Sequence, residues 1–447
     1  MLHQTTSELN IFFGLNPAWY AITIFVLAYL VIMSERLNRA IVSLLAAGLM
    51  ILGGVLTQKS ALEGIDFNTI GLLTGMMIIV TITRQSGIFQ YLAIWSAKRV
   101  NANPWGILVM LSLVTAVLSA LLDNVTTVLL IVPVTLLITD SLKVSPYPYL
   151  FAEIFSSNLG GTATLIGDPP NIMIGSAVGL SFNDFVINLA PLVLILLPTL
   201  FIPLYLIWGR KLKASDKDRA KVMNFQERDA ITDTTLLIQS LVVITLVIAG
   251  FMLGHDIGIQ PATIAMFGGA VLLLLHNFPL DMLGQSRRVE KTLASIEWTT
   301  IFFFIGLFIT VYGLEKTGVI ESLAHYLLEV TEGDRLSSAI AILWVSALAS
   351  ALIDNIPFVA TMIPIIENMA PSLGGKEALL PLWWSLALGA CLGGNGSLVG
   401  ASANLIVAGF AERAGHPIHF TRFMLVAFPL MIYTIVVSTV YVYFRYF

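Results

Sequence analysis

Long apolar runs separated by short polar stretches make up most of the chain. Runs of about 17–25 apolar residues can span a bilayer, and the pattern predicts spans near 18–33, 40–56, 68–83, 148–179, 183–208, 235–254, 261–278, 298–314, 380–410 and 421–444. Two of these, 148–179 and 380–410, are too long for one simple crossing and carry glycine and polar residues at their middles, which predicts broken helices. At 105–139 and 336–369, two apolar arms flank an Asp-Asn pair, Asp123-Asn124 and Asp354-Asn355. Each pair of arms predicts a re-entrant hairpin. A carboxylate at bilayer depth costs at least about 2.5–3.5 kcal/mol on insertion scales, so each turn needs a reason beyond chain reversal.

The pattern occurs twice. SALLDNVTTVLLIVP from Ser119 to Pro133 returns as SALIDNIPFVATMIP from Ser350 to Pro364, an offset of 354 − 123 = 231 that also matches Phe67 with Trp298 and Gly87 with Gly318. The breaks align at an offset of 233, NLGGTATLIGDPPN (158–171) against CLGGNGSLVGASAN (391–404), matching Gly160/Gly393, Gly161/Gly394, Leu165/Leu398, Gly167/Gly400 and Asn171/Asn404. Each copy supplies three crossings around its hairpin, and three is odd, so the copies are expected to be inverted. The expected fold is an all-α polytopic membrane protein of two inverted-topology repeats, with about ten transmembrane helices, two re-entrant helical hairpins and two broken helices. Its parts are N-terminal transmembrane helices (1–66), a first repeat (67–208), a cytoplasmic linker (209–234), linking transmembrane helices (235–297) and an inverted second repeat (298–447).

Composition places the chain in lipid. Of 447 residues, 57% are hydrophobic and 11% charged, against roughly 25% charged in soluble domains. Segment 209–229 holds seven Lys and Arg and is expected in the cytoplasm. Counting outward, that side holds 18 of the 23 Lys and Arg, all but Lys59, Lys316, Arg335, Lys376 and Arg445. The N-terminal MLHQTTSELN lacks the basic region of a signal peptide, so the first apolar segment is expected to stay. A net charge of −4 without a basic tail argues against a nucleic-acid partner. The single cysteine, Cys391, excludes an intrachain disulfide and a multi-thiolate site. His276, His416 and His419 show no metal spacing, so neither metal nor cofactor is expected.

Inverted repeats with broken helices mark secondary transporters whose site lies near the midplane. Unwound backbone is tolerated there only beside protein or a wet cavity. The two hairpin tips and the two breaks are therefore expected to converge. Asp123 and Asp354 can cap the second arms and also meet substrate, Asn124 and Asn355 can hold the turns or bind, and Thr126 and Thr127 can back-bond or line the site. Asp168, whose counterpart is Ala401, caps the helix opened by Pro169-Pro170 or titrates. Glu153 and Glu367 read as packing residues or proton relays. The four motifs hold three aspartates and no Lys or Arg. A polyanion such as citrate would require positive charge, so a cation or a neutral polyhydroxyl solute fits better. Desolvation favours a protonated carboxyl, which is the physical route to proton antiport.

DNVTTVLLIVPV, NLGGTATLIGDPPN and the second-half DN and GGNGSLVGASAN resemble the ion transporter superfamily, and within it the ArsB/P-permease group of arsenite efflux proteins and the melanosomal P protein. The resemblance runs from about residue 20 to 445. It implies scaffold helices around two re-entrant hairpins, often in a homodimer, moving as an elevator or rocking unit. Carried over, it implies substrate binding by Asn124, Thr126, Thr127, Gly161, Thr162, Asn171, Asn355, Asn395, Ser397 and Asn404, with proton coupling at Asp123, Asp354 and Asp168. Dicarboxylate carriers have Ser-Asn-Thr at their tips, where this chain has Asp for Ser, and DNVTT differs from the tip of the best-known bacterial arsenite pumps. With one cysteine, arsenite handled here travels as the neutral trihydroxide, recognised by hydrogen bonds from Asn, Thr, Ser and backbone.

The expected function is export of arsenite or antimonite in exchange for protons across the inner (plasma) membrane. The alternatives are a sodium/proton antiporter binding the cation at the three aspartates, and a membrane channel subunit for a cytoplasmic partner ATPase. The chain has no Ser-His-Asp set, HExxH or P-loop, so an enzyme is not expected.

Overall fold

Helix starts are written locally in the sequence. Asn16, Asn38, Asn103, Asp233, Asp281 and Asp334 each accept a first-turn amide, filling donors that a helix leaves open. Pro17, Pro104, Pro169 and Pro261 occupy first-turn positions, where a missing N–H costs nothing. The computed structural model describes residues 14–34, 36–278 and 280–447. It opens with α1 (Pro17–Met33), α2 (Arg39–Leu52) and the short α3 (Gln58–Glu63). Next come α4 (Phe67–Arg84), α5 (Ile88–Arg99), α6 (Pro104–Leu121), α7 (Asn124–Leu142), α8 (Tyr147–Thr162), α9 (Pro169–Val178) and α10 (Phe182–Leu204). The linker carries α11 (Asp216–Met223) and leads to α12 (Thr234–Gly254), α13 (Pro261–Asn277) and α14 (Met282–Ala294). The second copy comprises α15 (Trp298–Lys316), α16 (Val319–Val330), α17 (Arg335–Leu352), α18 (Asn355–Leu373), α19 (Leu380–Gly393), α20 (Ser402–Arg413) and α21 (Phe420–Tyr446).

Among the described residues the fold is all-helical, and ten helices are long and apolar enough to cross a membrane. They are not the ten spans read from sequence. The hairpin arms α6, α7, α17 and α18 join the set, while α1, α2 and α13 fall short of its length and the first break leaves α8 and α9 too short. Arms of 18 and 19 residues measure about 27–29 Å at 1.5 Å per residue, nearly the thickness of the hydrocarbon core. Each hairpin tip therefore lies deep in the protein.

The correspondence between halves also takes in the flanking helices. The pair α1–α2 precedes α4 as α12–α13 precedes α15, and the pairs are exchanged: α2 packs on α15, and α13 on α4. Four crossings lie between α4 and α15 (the broken α8–α9, α10, α12 and α13), so by parity the two run in opposite senses.

Within each half, the first hairpin arm packs on the broken helix, α6 on α8 and α17 on α19. The approach is backbone against backbone. A Cβ on Gly160 would lie 2.1 Å from the Ala116 carbonyl oxygen, and one on Gly393 2.5 Å from that of Ala347. Small residues of this kind let membrane helices come together closely.

The linker folds back on the first half. Lys98 Nζ donates to Glu227 Oε2 (2.5 Å) and to the Phe225 carbonyl (2.9 Å), Arg219 donates to Asn101 O (2.9 Å), and α11 packs on α7 and α5. The Lys98 ammonium holds the Glu227 carboxyl below its usual range. A carboxyl with a depressed folded value stabilises the docked linker above its unfolded value of about 4.3, and that contribution is lost as pH falls through the folded value. A spin label at Gln226→Cys is therefore expected to be immobile at neutral pH and to loosen on acidification below about pH 4. It should already be loose at neutral pH in Lys98→Gln. A label equally immobile in all three cases would exclude the clamp.

Candidate functional site

Each hairpin turns on an aspartate cap, but the two caps are differently loaded. Asp123 Oδ1 accepts the Thr126 amide (2.8 Å) and Oδ2 accepts the Thr126 hydroxyl (2.5 Å). Among the described residues it has no cationic partner. Asp354 Oδ1 accepts the Ile356 amide (3.1 Å), while Oδ2 accepts Ser402 Oγ (2.7 Å) and Arg39 Nη1 (2.9 Å). Arg39 also donates to Ser402 Oγ (2.5 Å) and Thr300 Oγ1 (3.4 Å), and its guanidinium lies 5.0 Å from the Phe303 ring centroid. Tyr29 OH donates to the Pro357 carbonyl and lies 3.1 Å from Thr361 Oγ1. The second tip is thus tied to α1 and α2.

The breaks are held open by their own side chains. Asn171 Nδ2 donates to the carbonyls of Gly161 (3.3 Å), Thr162 (3.2 Å) and Thr164 (2.8 Å), and Asn404 Nδ2 to those of Gly394 (2.7 Å) and Ser397 (2.9 Å). These bonds satisfy carbonyls that unwinding strips of helical partners. Ser397 Oγ donates to Ala351 O (2.6 Å) and Thr164 Oγ1 to Ala120 O (2.5 Å), lashing each break to its hairpin arm.

At the midline the halves meet through amides. Asn158 Nδ2 donates to Asn395 Oδ1 (3.0 Å) and Asn404 Oδ1 (3.1 Å), while Asn158 Oδ1 accepts from Asn124 Nδ2 (3.2 Å). The repeat maps Asn158 onto Cys391, whose Sγ donates to Asn171 Oδ1 at 3.6 Å. Asn355 Nδ2 lies 3.4 Å from both oxygens of Asp168. Asn395 Nδ2 and Thr127 Oγ1 are buried without a partner. Buried polar groups are nearly always hydrogen-bonded, and these two are exceptions among the described residues.

The sequence-predicted residues are placed differently. Asn124, Asn395 and Asn404 meet at Asn158, and Asp168 and Asn355 form a separate pair between the halves. Asn171 bonds its own break and Cys391, Thr127 Oγ1 is buried, and Asp123 and Asp354 cap the two tips. Thr126, Thr162, Ser397 and Gly161 are occupied locally: Thr126 on Asp123, Thr162 Oγ1 on Asn158 O (2.7 Å), Ser397 on Ala351, and the Gly161 carbonyl by Asn171. Asp168 stands at the N-cap of α9 yet makes no capping bond. Three participants lay outside the expected set. Asn158 was visible as the first residue of the first break, and Ser402 lay within the second. Arg39 had no local signal, because it opens α2 far from the motifs. The expectation of a site without positive charge is corrected by Arg39.

Residues 29–389 match the citrate transporter family, CitMHS. An uncharacterized transporter of Mycobacterium tuberculosis (strain ATCC 25618 / H37Rv) is 44% identical over 431 residues, covering 96% of this chain and 98% of that one. The 46 kDa membrane protein of Mycobacterium leprae is 42% identical over 440 residues, with 95% and 98% covered. The P protein of Homo sapiens is 34% identical over 502 residues, 92% of this chain and 58% of its own length. Among solved structures, the Alcanivorax borkumensis YdaH transporter superposes with a TM-score of 0.59 at 14% identity, over 97% of this chain and 99% of that one. Neisseria gonorrhoeae MtrF gives 0.57 at 12%, over 98% and 96%. At such identities these two share the fold. With most of its length matched by the family and by full-length relatives, the chain belongs to the citrate transporter family, CitMHS, and is a multi-pass membrane transporter.

Proposed function

We propose that the protein is a proton-coupled secondary transporter that exports a small neutral polyhydroxyl solute, with arsenite or antimonite trihydroxide as the fitting class, across the plasma membrane. The observation that carries this reading is the junction of Asn124, Asn158, Asn395 and Asn404, amides that donate and accept without net charge and leave Asn395 Nδ2 unmet. A trihydroxide both donates and accepts, so it can enter such a cluster without bringing charge into a low dielectric. Asp123 and Asp168 have no cation beside them and are the coupling carboxyls in this reading. Asp354 is compensated by Arg39, so it holds the second tip. The basic linker lies on the cytoplasmic face.

A second reading is favoured by one observation. Arg39 places a guanidinium at the second tip, and the family takes its description from citrate. A substrate carboxylate could exchange with Asp354 on Arg39, as bidentate guanidinium–carboxylate pairing allows. Against it, three aspartates face one guanidinium, an unfavourable balance for a polyanion.

Everted vesicles under an imposed proton gradient separate these readings, with arsenite, antimonite, citrate and sodium compared. Arsenite uptake is expected to vanish with an uncoupler and to fall at least about a hundredfold in Asp123→Asn, the lower end for loss of a proton-transferring group. Citrate uptake abolished by Arg39→Gln, with no arsenite flux, would replace the proposal by the second reading. Sodium-evoked proton release alone would assign a sodium/proton antiporter. Arsenite export that survives the uncoupler and stops on ATP depletion would point to a partner ATPase.

A further inference from the structure

Glu153 lies in the middle of α8 and is 1% exposed. Its Oε1 accepts Thr135 Oγ1 from α7 at 2.5 Å, and its Oε2 is buried with no partner. The elements packed on α8 are α6, α7, α10, α19 and α20 with the 394–396 turn, and α21 through Phe423 and Arg422. Their titratable or charged groups are Asp123, Asp140 and Lys143 at the ends of α7, Asp184 at the start of α10, Cys391 on α19, Glu412 and Arg413 at the end of α20, and Arg422 at the start of α21. Tyr147 and Tyr149 lie on α8 itself. None of them bonds Glu153; Thr135 is its one side-chain partner among the described residues. A carboxylate so placed has no counter-ion among the described residues, and a buried charge without one is costly.

Hydroxyls extend from it in both directions. On α7, Thr139 lies one turn beyond Thr135 and Thr127 about two turns before it; Thr139 Oγ1 bonds back to the Thr135 carbonyl. On α8, Ser156 and Ser157 lie one turn beyond Glu153, about 6 Å along the axis, and Ser157 Oγ donates to Asn124 O at the first tip (3.1 Å). Ser112, Thr115, Thr127 and Ser156 are all buried without partners. Unmet hydroxyls and an unmet carboxyl oxygen on facing helices are groups that a file of water satisfies, since buried waters make about three hydrogen bonds to such groups.

The second copy has the same helices with part of this polarity: Thr115 maps to Ser346, and Ser346 Oγ and Ser385 Oγ are buried without partners among the described residues, but the carboxyl and most of the hydroxyls are replaced. The two repeat offsets map Glu153 to Leu386, Thr127 to Phe358, Thr135 to Ile366, Thr139 to Ala370, Ser112 to Leu343, Ser156 to Gly389 and Ser157 to Ala390. Gly389 packs bare against Leu343 O and Ser346 Cβ, the place where the first copy faces Ser156 toward Ser112 and Thr115 by the same correspondence. The fold therefore does not require the carboxyl, since its twin forms with Leu386 and Ile366 in place of Glu153 and Thr135.

We propose that Glu153 is a proton-carrying group on a hydrated strip that connects the base of the first hairpin with the midline cluster, in the first copy only. The proposal rests on the proton-coupled reading above. Oε2 takes a proton from water entering at the hairpin base and yields it toward the central carboxyls, with no other bond made or broken.

The test uses the purified full-length protein in lipid vesicles. Infrared difference spectra between acid and alkaline pH are expected to contain the carbonyl band of a protonated carboxyl that Glu153→Gln removes and Asp123→Asn leaves in place. With arsenite as the probe solute and a pH-sensitive dye inside, Glu153→Gln is expected to slow coupled proton movement at least about a hundredfold. Glu153→Leu, which copies the second half, should do the same while melting no lower than wild type. A Glu153→Gln protein with an unchanged band and unchanged proton movement overturns the strip and leaves the proton-coupled reading standing. A wild-type protein that moves no protons with arsenite overturns that reading, and the carboxyl band then still decides whether Glu153 holds a proton. A Glu153→Leu protein that melts well below wild type would make the residue structural and overturn the proposal.

Discussion

Arg39→Gln is expected to destabilise the protein by about 3 kcal/mol, the low end of the about 3–5 kcal/mol for breaking a buried ion pair. The low end applies because the Arg39 side chain keeps 25% of its exposure, against 11% for Asp354. Most of the loss comes from what remains. Asp354 would keep its cap on Ile356 and its bond from Ser402 but would carry its charge without a cation. The double variant Arg39→Gln/Asp354→Asn should therefore recover a large part of the loss, and a thermal-unfolding cycle in detergent measures the coupling directly. Arg39→Lys should not rescue it, because an ammonium cannot reproduce the fork that serves Asp354, Ser402 and Thr300 beside the Phe303 ring. Equal melting temperatures for wild type and Arg39→Gln would show that the pair does not hold the second tip.

Asn158→Leu should be at least as damaging. The substitution keeps the volume roughly constant and strands Asn124 Nδ2, Asn395 Oδ1 and Asn404 Oδ1. A buried polar group left without its partner costs about 1–3 kcal/mol, so roughly 3–6 kcal/mol is expected after partial relaxation. Asn158→Asp distinguishes stability from transport. An aspartate still accepts from Asn124, and Asn395 can turn its unmet Nδ2 toward the new oxygen. That variant should fold better than Asn158→Leu but carry a fourth carboxyl into the cluster and lose transport. Size-exclusion profiles and melting in detergent report the first effect, and vesicle flux the second. Wild-type flux in Asn158→Asp would remove the amide junction from the solute path.

Much of the architecture was legible because lipid leaves few options. The apolar runs, the two Asp-Asn turns and the glycine-rich breaks each had a physical requirement behind them, and α6–α9 and α17–α20 form where that requirement placed them. Two things were not legible. The repeat boundary was drawn at Phe67, yet α1–α2 and α12–α13 occupy equivalent places; their sequences are plain apolar spans with no shared motif to align. The Arg39–Asp354 pair joins residues 315 positions apart, and a single cation at a helix start carries no mark of its destination. Asn158 was a different kind of omission. It sat in an aligned motif opposite Cys391, where the two copies share no chemistry to follow, and the structure uses the mismatch: an amide reaches two partners across the midline where a thiol reaches one.

The exchanged helix pairs have a consequence for biosynthesis. α2 ends at Leu52 and finds its principal partner in α15, which begins at Trp298. At about 5–20 residues per second, the ribosome needs roughly 10–50 s to deliver that partner. For that interval the first half sits in the bilayer with one flank of α2 turned toward lipid and the Arg39 charge uncompensated. The newborn chain is therefore most exposed to quality-control proteases before its second half arrives, held meanwhile by packing within the residues already made, α6 on α8, α13 on α4 and the linker on α5 and α7.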